Sequence, residues 1–283
     1  MNKKIALIDL DAMLHIVACV QFYSGNRDND RITQNHIKSF INTIVKNSSC
    51  SSYILVFQGL DFKNFRKELL PEYKNNRVKS EAIQIWGDKI KEMFIAQNAF
   101  SLKYIESDDA LSVLSKTIGY DKVIIITSDK DMKQIPVQIY NPYKADISFE
   151  DRWTTISLIE AYKFLNAQIL TGDSTDMPNK LCGIEGVGLK TAYKILDSYP
   201  AEMPYYEIIQ RVYTKKYGAK EGFKRASITY KMVKLLSDFT DYTSDVVNEE
   251  IKNLQLNYKL FINPVTNDVE ELFSKTSTSS LFT

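Results

Sequence analysis

A chain of 283 residues with 44% apolar and 25% charged side chains has room for one large globular domain or two ordinary ones. Three scattered cysteines (Cys19, Cys50, Cys182) exclude a disulfide framework and a zinc site, and no apolar run approaches the roughly 18 residues of a membrane span. The net charge of +1 excludes a uniformly polybasic protein, and the first residues lead straight into a strand pattern rather than a secretory leader, so a cytoplasmic location is expected.

In chain order, Ile5–Ile8 predicts a buried strand and Met13–Phe22 a helix. Residues 24–30 read as a loop and Ile32–Val45 as a helix, and Tyr53–Phe57 predicts a second buried strand. Residues 61–80 carry Lys63, Arg66, Lys67, Lys74, Arg77 and Lys79 among aromatic side chains, without a clean period. Ser80 is placed to cap a helix from Glu81 to about Gln97, with Ile83, Ile85, Trp86, Ile90, Met93 and Phe94 on its apolar side. Leu102–Ile105 predicts a brief strand, residues 110–118 a helix, Val123–Ile126 a strand and Val137–Tyr140 another. Short uninterrupted apolar strands alternating with helices predict an α/β fold, with a mostly parallel sheet covered on both faces. From Ile156 the pattern turns helical, with one more strand expected at 257–262, so a boundary is placed at 155. The unit 156–283 ends in a loose Ser/Thr-rich tail at 274–283. A second basic stretch holds Arg211, Lys215, Lys216, Lys220, Lys224, Arg225, Lys231 and Lys234 against Glu221 alone, the pattern of a face that grips a polyanion or of solvated helix faces.

Four acid clusters punctuate this framework: Asp9 with Asp11, Glu106 with Asp108 and Asp109, Asp129 with Asp131, and Asp173 with Asp176. Asp9 and Asp129 follow predicted parallel strands, where open α/β sheets present their ligand crevice. Carboxylates crowded together repel and resist desolvation, so a fold that gathers them needs hard divalent cations such as Mg²⁺ or Mn²⁺. That combination points to metal-dependent phosphodiester hydrolysis. Glu106, Asp108 and Asp109 also suit a helix start, where acids offset the dipole, and Asp173–Asp176 suits an Asx turn. The two histidines, His15 and His36, read as surface or part-buried side chains and not as acid–base catalysts. Gly183, Gly186 and Gly188, followed by Lys190, permit close backbone approach and place helix-start amides where a phosphate could sit. Tyr73 with Lys74 and Arg77 joins an aromatic ring to cations, a pairing suited to nucleic acid.

Taken in order, FR (65–66), PEYKNNR (71–77), ESDDA (106–110), TSDKDMKQI (127–135), GDSTD (172–176) and GIEGVGLKTA (183–192) resemble the 5′ nuclease family of flap endonucleases and 5′–3′ exonucleases. That family includes the 5′ nuclease domains of bacterial DNA polymerase I and phage ribonuclease H-like enzymes. The resemblance implies a PIN-like nuclease domain over 1–155 with a helical arch at 61–100 that passes single strand, and a helix–three-turn–helix at about 165–197. It implies two Mg²⁺ or Mn²⁺ ions, held by Asp9, Glu106, Asp108, Asp109, Asp129 and Asp131 at the first site and by Asp173 and Asp176 at the second. It makes Lys74 and Arg77 catalytic phosphate contacts, Arg66 a further phosphate contact and Tyr73 a stacking ring. Gly183, Gly186, Gly188 and Lys190 then grip duplex, with a K⁺ ion held by carbonyls of that turn. The implied substrate is a DNA or RNA–DNA duplex with a 5′ flap or end, and the implied role is primer or flap removal by a monomer in replication. A phage origin, in host cytoplasm, is consistent with it, and Leu281-Phe282 reads as an idle terminus sooner than as a docking tail for a replication protein. Two positions depart from the family: Gln58 stands where an Asp is usual, with Asp61 a possible substitute and Asp11 an extra acid, and Met177 replaces an Asn. Alternatives are a PIN-like ribonuclease acting on RNA, and a junction-binding replication factor with one crippled metal site.

Overall fold

The computed structural model describes residues 4–23, 30–144, 146–173, 176 and 182–265. Its centre is a seven-stranded sheet in the order β3 (Phe100–Leu102), β2 (Ser52–Gln58), β1 (Ile5–Asp9), β4 (Val123–Ile126), β5 (Gln138–Tyr140), β6 (Trp153–Thr155), with β7 (Asn263–Pro264) also paired to β2. The first five strands run parallel; β6 and β7 pair antiparallel. The predicted mostly parallel sheet is therefore present.

Strand residues alternate between two buried layers, as the period of two requires. Leu7, Ile54, Val56, Val123 and Ile125 face one core with α5 (Ser107–Ile118) and α10 (Asp245–Asn257). Ala6, Ile8, Leu55, Phe57, Ile124 and Ile126 face the other, with α1 (Leu10–Tyr23), α2 (Asp30–Ser48) and α4 (Glu81–Ile95). A third core joins α6 (Leu158–Thr171), α7 (Leu189–Asp197), α8 (Tyr205–Tyr217) and α9 (Ala219–Val233).

Several expectations need correction. Helix α4 is capped by Ser80, whose hydroxyl accepts the Ile83 N–H at 3.3 Å, but it lies against α1 and buries Trp86, Ile90, Met93 and Phe94, while Ile85 points to solvent. Residues 61–100, the segment expected as a helical arch, consist of a short helix α3 (Arg66–Leu69), a turn-rich segment and helix α4. The strand expected at 102–105 occupies 100–102 instead, because the amides of residues 103–105 bond to a carboxylate from α10 rather than to a strand. A clean division at 155 also fails. Leu235, Leu236, Val247, Ile251 and Leu254 belong to the sheet's own core, and the strand expected at 257–262 is β7 at 263–264. The expected tail, 274–283 with Leu281-Phe282, lies outside the described residues, as does Met177.

Candidate active site

Asp9 ends β1, and Thr127 and Asp129 follow β4 at the same edge of the sheet, so a parallel pairing of Ile8 with Ile126 brings the two strand ends together. The Thr127 hydroxyl donates to Asp9 Oδ2 at 3.0 Å and its Oγ1 accepts the Asp129 N–H at 3.1 Å, linking the two acids. Asp131 follows on a short 3₁₀ helix (Lys130–Gln134) whose first amides Asp129 caps, its Oδ1 accepting the Asp131 N–H at 2.7 Å. Asp108 stands in the first turn of α5, and Asp173 and Asp176 follow α6.

These segments, distant in sequence, line one cleft of about 720 Å³. Asp9, Asp11, Glu106, Asp108, Asp129, Asp131, Asp173 and Asp176 all face it, together with Tyr73, Lys74 and Arg77. The acids fall into two electrostatic classes. Among the described residues no ion pair reaches Asp9, Asp108, Asp129 or Asp131. Burial, and then Asp11 and Asp129 beside it, push the Asp9 carboxyl up to about 7. Burial and Asp129 likewise push Asp131 up to about 6, and burial with Asp129, Asp9 and Glu106 holds Asp108 well above the usual carboxylate range. Desolvation is the larger cause in each case, and the neighbouring carboxylates add to it.

Glu106 is the opposite case. Burial works to raise it, but Lys74 and Arg66 hold it down to about 2. Its Oε2 accepts from Arg66 Nη1 and from the Tyr73 hydroxyl, both at 3.0 Å, and its Oε1 is in contact with Lys74 Nζ. Lys74 Nζ also lies 3.4 Å from Asp176 Oδ2, and Arg77 Nη2 lies 2.6 Å from Asp176 Oδ1. Lys74 reaches this position from a left-handed backbone, φ 58°, a conformation that costs a non-glycine residue on the order of 1–3 kcal/mol and that collects at functional sites. Its backbone N–H is bonded to the Asp176 carbonyl at 2.8 Å, which over-determines the strained turn.

Several expected roles change. Arg66 does not face a phosphate: it is 2% exposed, and all five of its N–H donors are used, on Glu106, both oxygens of Asp109 (2.6 and 2.9 Å) and the Met232 and Lys234 carbonyls (3.0 Å each). Asp109 does not face the cleft; it is fully buried and accepts in addition the N–H groups of Leu236 (2.9 Å) and Glu106 (3.2 Å), so it caps α5 and holds Arg66. Tyr73 is buried with its hydroxyl on Glu106, which leaves no open ring face for stacking a base. Asp61 is exposed and lies outside the cleft, whereas Asp11 stands in it, accepting the Gln58 N–H at 3.1 Å and the Ser107 hydroxyl at 2.5 Å. A carboxylate thus stands against the backbone of Gln58, at the position whose side chain lacks charge.

The glycine turn divides as well. Gly183 has φ +78°, and a Cβ there would lie 2.3 Å from the Thr171 carbonyl oxygen; its N–H donates to Thr229 Oγ1 at 2.9 Å. Its role is internal, a chain crossing against Gly172, and not a phosphate contact. Gly186 and Gly188 open to space, and Lys190 is exposed in the first turn of α7.

Sequence patterns gave no hint of Gln168. From α6 its Nε2 donates to Asp131 Oδ1 at 2.8 Å, while its Oε1 accepts from Gln134 Nε2 at 2.6 Å. Thr127 and Ser107 act similarly on Asp9 and Asp11, and His15, exposed on α1, stands on the cleft wall. A single neutral residue offers no periodic or charge signal, so its part emerges only from tertiary contacts.

Among the described residues no three of these acids form a preassembled metal site. The donor set nonetheless fits hard dications: it is oxygen-rich, faces one cavity, and its carboxyls Asp9, Asp108 and Asp131 are raised first by burial and then by neighbouring acids. The acids that would hold such ions are Asp9, Asp108, Asp129, Asp131 and Asp173; Glu106 and Asp176, also expected as ligands, are instead paired with Arg66, Lys74 and Arg77.

The family model described as 5′-3′ exonuclease, N-terminal resolvase-like domain, matches residues 4–162. A 5′-3′ exonuclease of Aquifex aeolicus is 28% identical over 249 residues, covering 81% of this chain and 82% of that protein. The flap endonuclease Xni of Shewanella denitrificans is 29% identical over 203 residues, covering 68% and 78%. Among solved structures, the T5 D15 protein co-crystallized with metal ions shares the fold at a TM-score of 0.61 and 20% identity, over 89% of this chain and 98% of that one. Among the described residues no helix is long and apolar enough to cross a membrane.

Proposed function

This chain belongs to the 5′–3′ exonuclease family and is a phosphodiester hydrolase, and from that premise we propose that it is a structure-specific 5′ nuclease using two divalent cations. The substrate we assign is a DNA or RNA–DNA duplex bearing a 5′ flap or end, as in the primers and flaps of replication. The observation that carries this reading is the convergence of eight acids from distant segments, with Lys74 and Arg77, on one cleft.

Bound Mg²⁺ or Mn²⁺ would balance the acids against a phosphate, lower the pKa of an attacking water and stabilise the leaving oxygen. The residues divide the remaining work. Asp9, Asp108, Asp129, Asp131 and Asp173 would hold the cations, and Gln168 and Thr127 fix the orientation of Asp131 and Asp9. Lys74, between Glu106 and Asp176, places an ammonium in the cleft where a scissile phosphate gains negative charge. Arg77 has a half-exposed guanidinium and supplies a contact to an adjacent phosphate. Gly186, Gly188 and Lys190 offer backbone amides and a cation to one duplex strand at the start of α7. The exposed Lys215, Lys216, Lys220 and Lys224 on α8 and α9 extend the positive surface.

The test is cleavage of a 5′-flap duplex in Mg²⁺ by the whole chain and by Asp129→Asn. Cutting by the unmodified chain, lost in the variant while flap binding persists, is the expected result. Flap binding without Mg²⁺-dependent cutting by the unmodified chain would overturn the assignment in favour of a binding factor.

A further inference from the structure

Glu250 lies on α10, far in sequence from the acid clusters, and is not among the residues that line the cleft. Its carboxylate nevertheless captures three consecutive backbone amides. Oε1 accepts the Lys103 N–H at 2.6 Å, and Oε2 accepts those of Tyr104 at 2.8 Å and Ile105 at 2.9 Å. Successive amides that converge in this way form a concavity for an anion, and here the chain supplies the anion itself. The same short stretch is gripped from its other side. The Leu102 carbonyl accepts the Gly59 N–H at 2.8 Å, the Lys103 carbonyl that of Lys63 at 2.6 Å, and the Tyr104 carbonyl that of Phe65 at 3.0 Å.

Two exits lead from this strap into the cleft. The residue after Ile105 is Glu106, and the residue after Phe65 is Arg66; the two then meet, Arg66 Nη1 to Glu106 Oε2 at 3.0 Å. Glu106 in turn holds Lys74. One carboxylate from the C-terminal helix therefore fixes the backbone from which both members of that buried pair depart. The α10 helix is itself anchored by Val247, Ile251 and Leu254, all fully buried, so the anion is delivered from a rigid element.

We propose that Glu250 is a positioning residue for phosphodiester cleavage: by binding the amides of residues 103–105 it sets the orientation of Glu106, and through Glu106 that of Lys74. The inference rests on the nuclease reading above. Its test uses the full chain with Glu250→Ala and Glu250→Gln, the latter keeping one acceptor oxygen. The measurements are single-turnover cleavage of a 5′-flap duplex in Mg²⁺, the Kd for that duplex, and the thermal midpoint. Outer supports of this kind typically cost roughly 10- to 100-fold when removed, and that loss is expected in the rate of folded Glu250→Ala. The Kd should stay within about twofold, and Glu250→Gln should fall between the two, since an interaction felt only in the transition state moves rate and not ground-state binding. A folded Glu250→Ala that cuts at the wild-type rate, with only its midpoint lowered, would show a purely structural staple and overturn the proposal. So would a loss confined to Kd, which would mark a direct nucleic-acid contact. Should Glu250→Ala not fold, a full-rate Glu250→Gln overturns it equally. A wild-type chain that does not cut would remove the nuclease reading and this inference together, whereas equal rates in a cutting wild type and variant remove the inference alone.

Discussion

Replacing Asp9 by Asn should make the chain more stable without metal and less responsive to metal, a pairing that a merely structural aspartate would not produce. Asp9 is 6% exposed, and its carboxyl is raised from 3.8 to about 7, first by burial and then by Asp11, with a smaller push from Asp129. An acid whose pKa is higher in the folded than in the unfolded chain favours folding while it is protonated. That contribution is fully present below about pH 4 and is lost as pH rises towards 7. At pH 8 the group is ionised in both states, and about three pK units at about 1.4 kcal/mol each set the folded state at a disadvantage of about 4 kcal/mol. Asparagine removes the charge and can keep both hydrogen bonds, its oxygen accepting the Asp11 N–H (2.9 Å to Oδ1 in the native residue) and its amide donating to Thr127 Oγ1 (3.0 Å from Oδ2). Thermal unfolding in EDTA should therefore show Asp9→Asn several degrees above wild type at pH 8, with the gap closing near pH 4. Added Mg²⁺ should raise the wild-type midpoint at pH 8 by much more than that of the variant, and flap cleavage should be lost in the variant. A variant less stable than wild type in EDTA at pH 8, or one with an undiminished Mg²⁺ response, would refute the claim that Asp9 is a strained carboxylate awaiting a cation.

Lys74→Ala should slow single-turnover flap cleavage by roughly two to three powers of ten, the loss expected for one donor to a developing oxyanion, and an unchanged rate would end that assignment. Arg66→Met leaves Asp109 and Glu106 buried without their guanidinium, so urea unfolding should report a loss of about 3–5 kcal/mol, and a change below about 1 kcal/mol would contradict its structural reading. Lys190→Ala should weaken flap-duplex binding and reduce the dependence of log K on log salt by about one phosphate contact; an identical slope would place that lysine off the duplex.

The parallel sheet was legible because each central strand is a short uninterrupted apolar run, as in Ile5–Ile8 and Val123–Ile126, and because acids follow those runs where ligands bind. The cleft acids were legible for the same reason. What sequence could not separate was acids that face the cavity from acids that face cations. Asp108 and Asp109 are neighbours of identical chemistry, yet a helical turn of about 100° per residue sends one to the cleft and the other to Arg66. Arg66 and Tyr73 stand out in the sequence but their partners do not, because a cation or ring that serves nucleic acid and one that serves a buried carboxylate look alike in a motif. The C-terminal return was unreadable for another reason: the two-residue strand β7 has no local period, and its place against Ser52 and Tyr53 is decided entirely by tertiary contact.

Arg66 completes its donor set with the carbonyls of Met232 and Lys234, and the strap before Glu106 is completed by Glu250. During synthesis, then, a nascent chain can emerge from the ribosome with every proposed metal-binding acid already outside the exit tunnel and still lack the groups that hold its catalytic wall in place. Closure of that wall waits for contacts more than a hundred residues apart in sequence, which are slow to form. Until residues 232–250 have folded back, the buried Arg66 and the strap before Glu106 lack the carbonyls and the carboxylate that hold them.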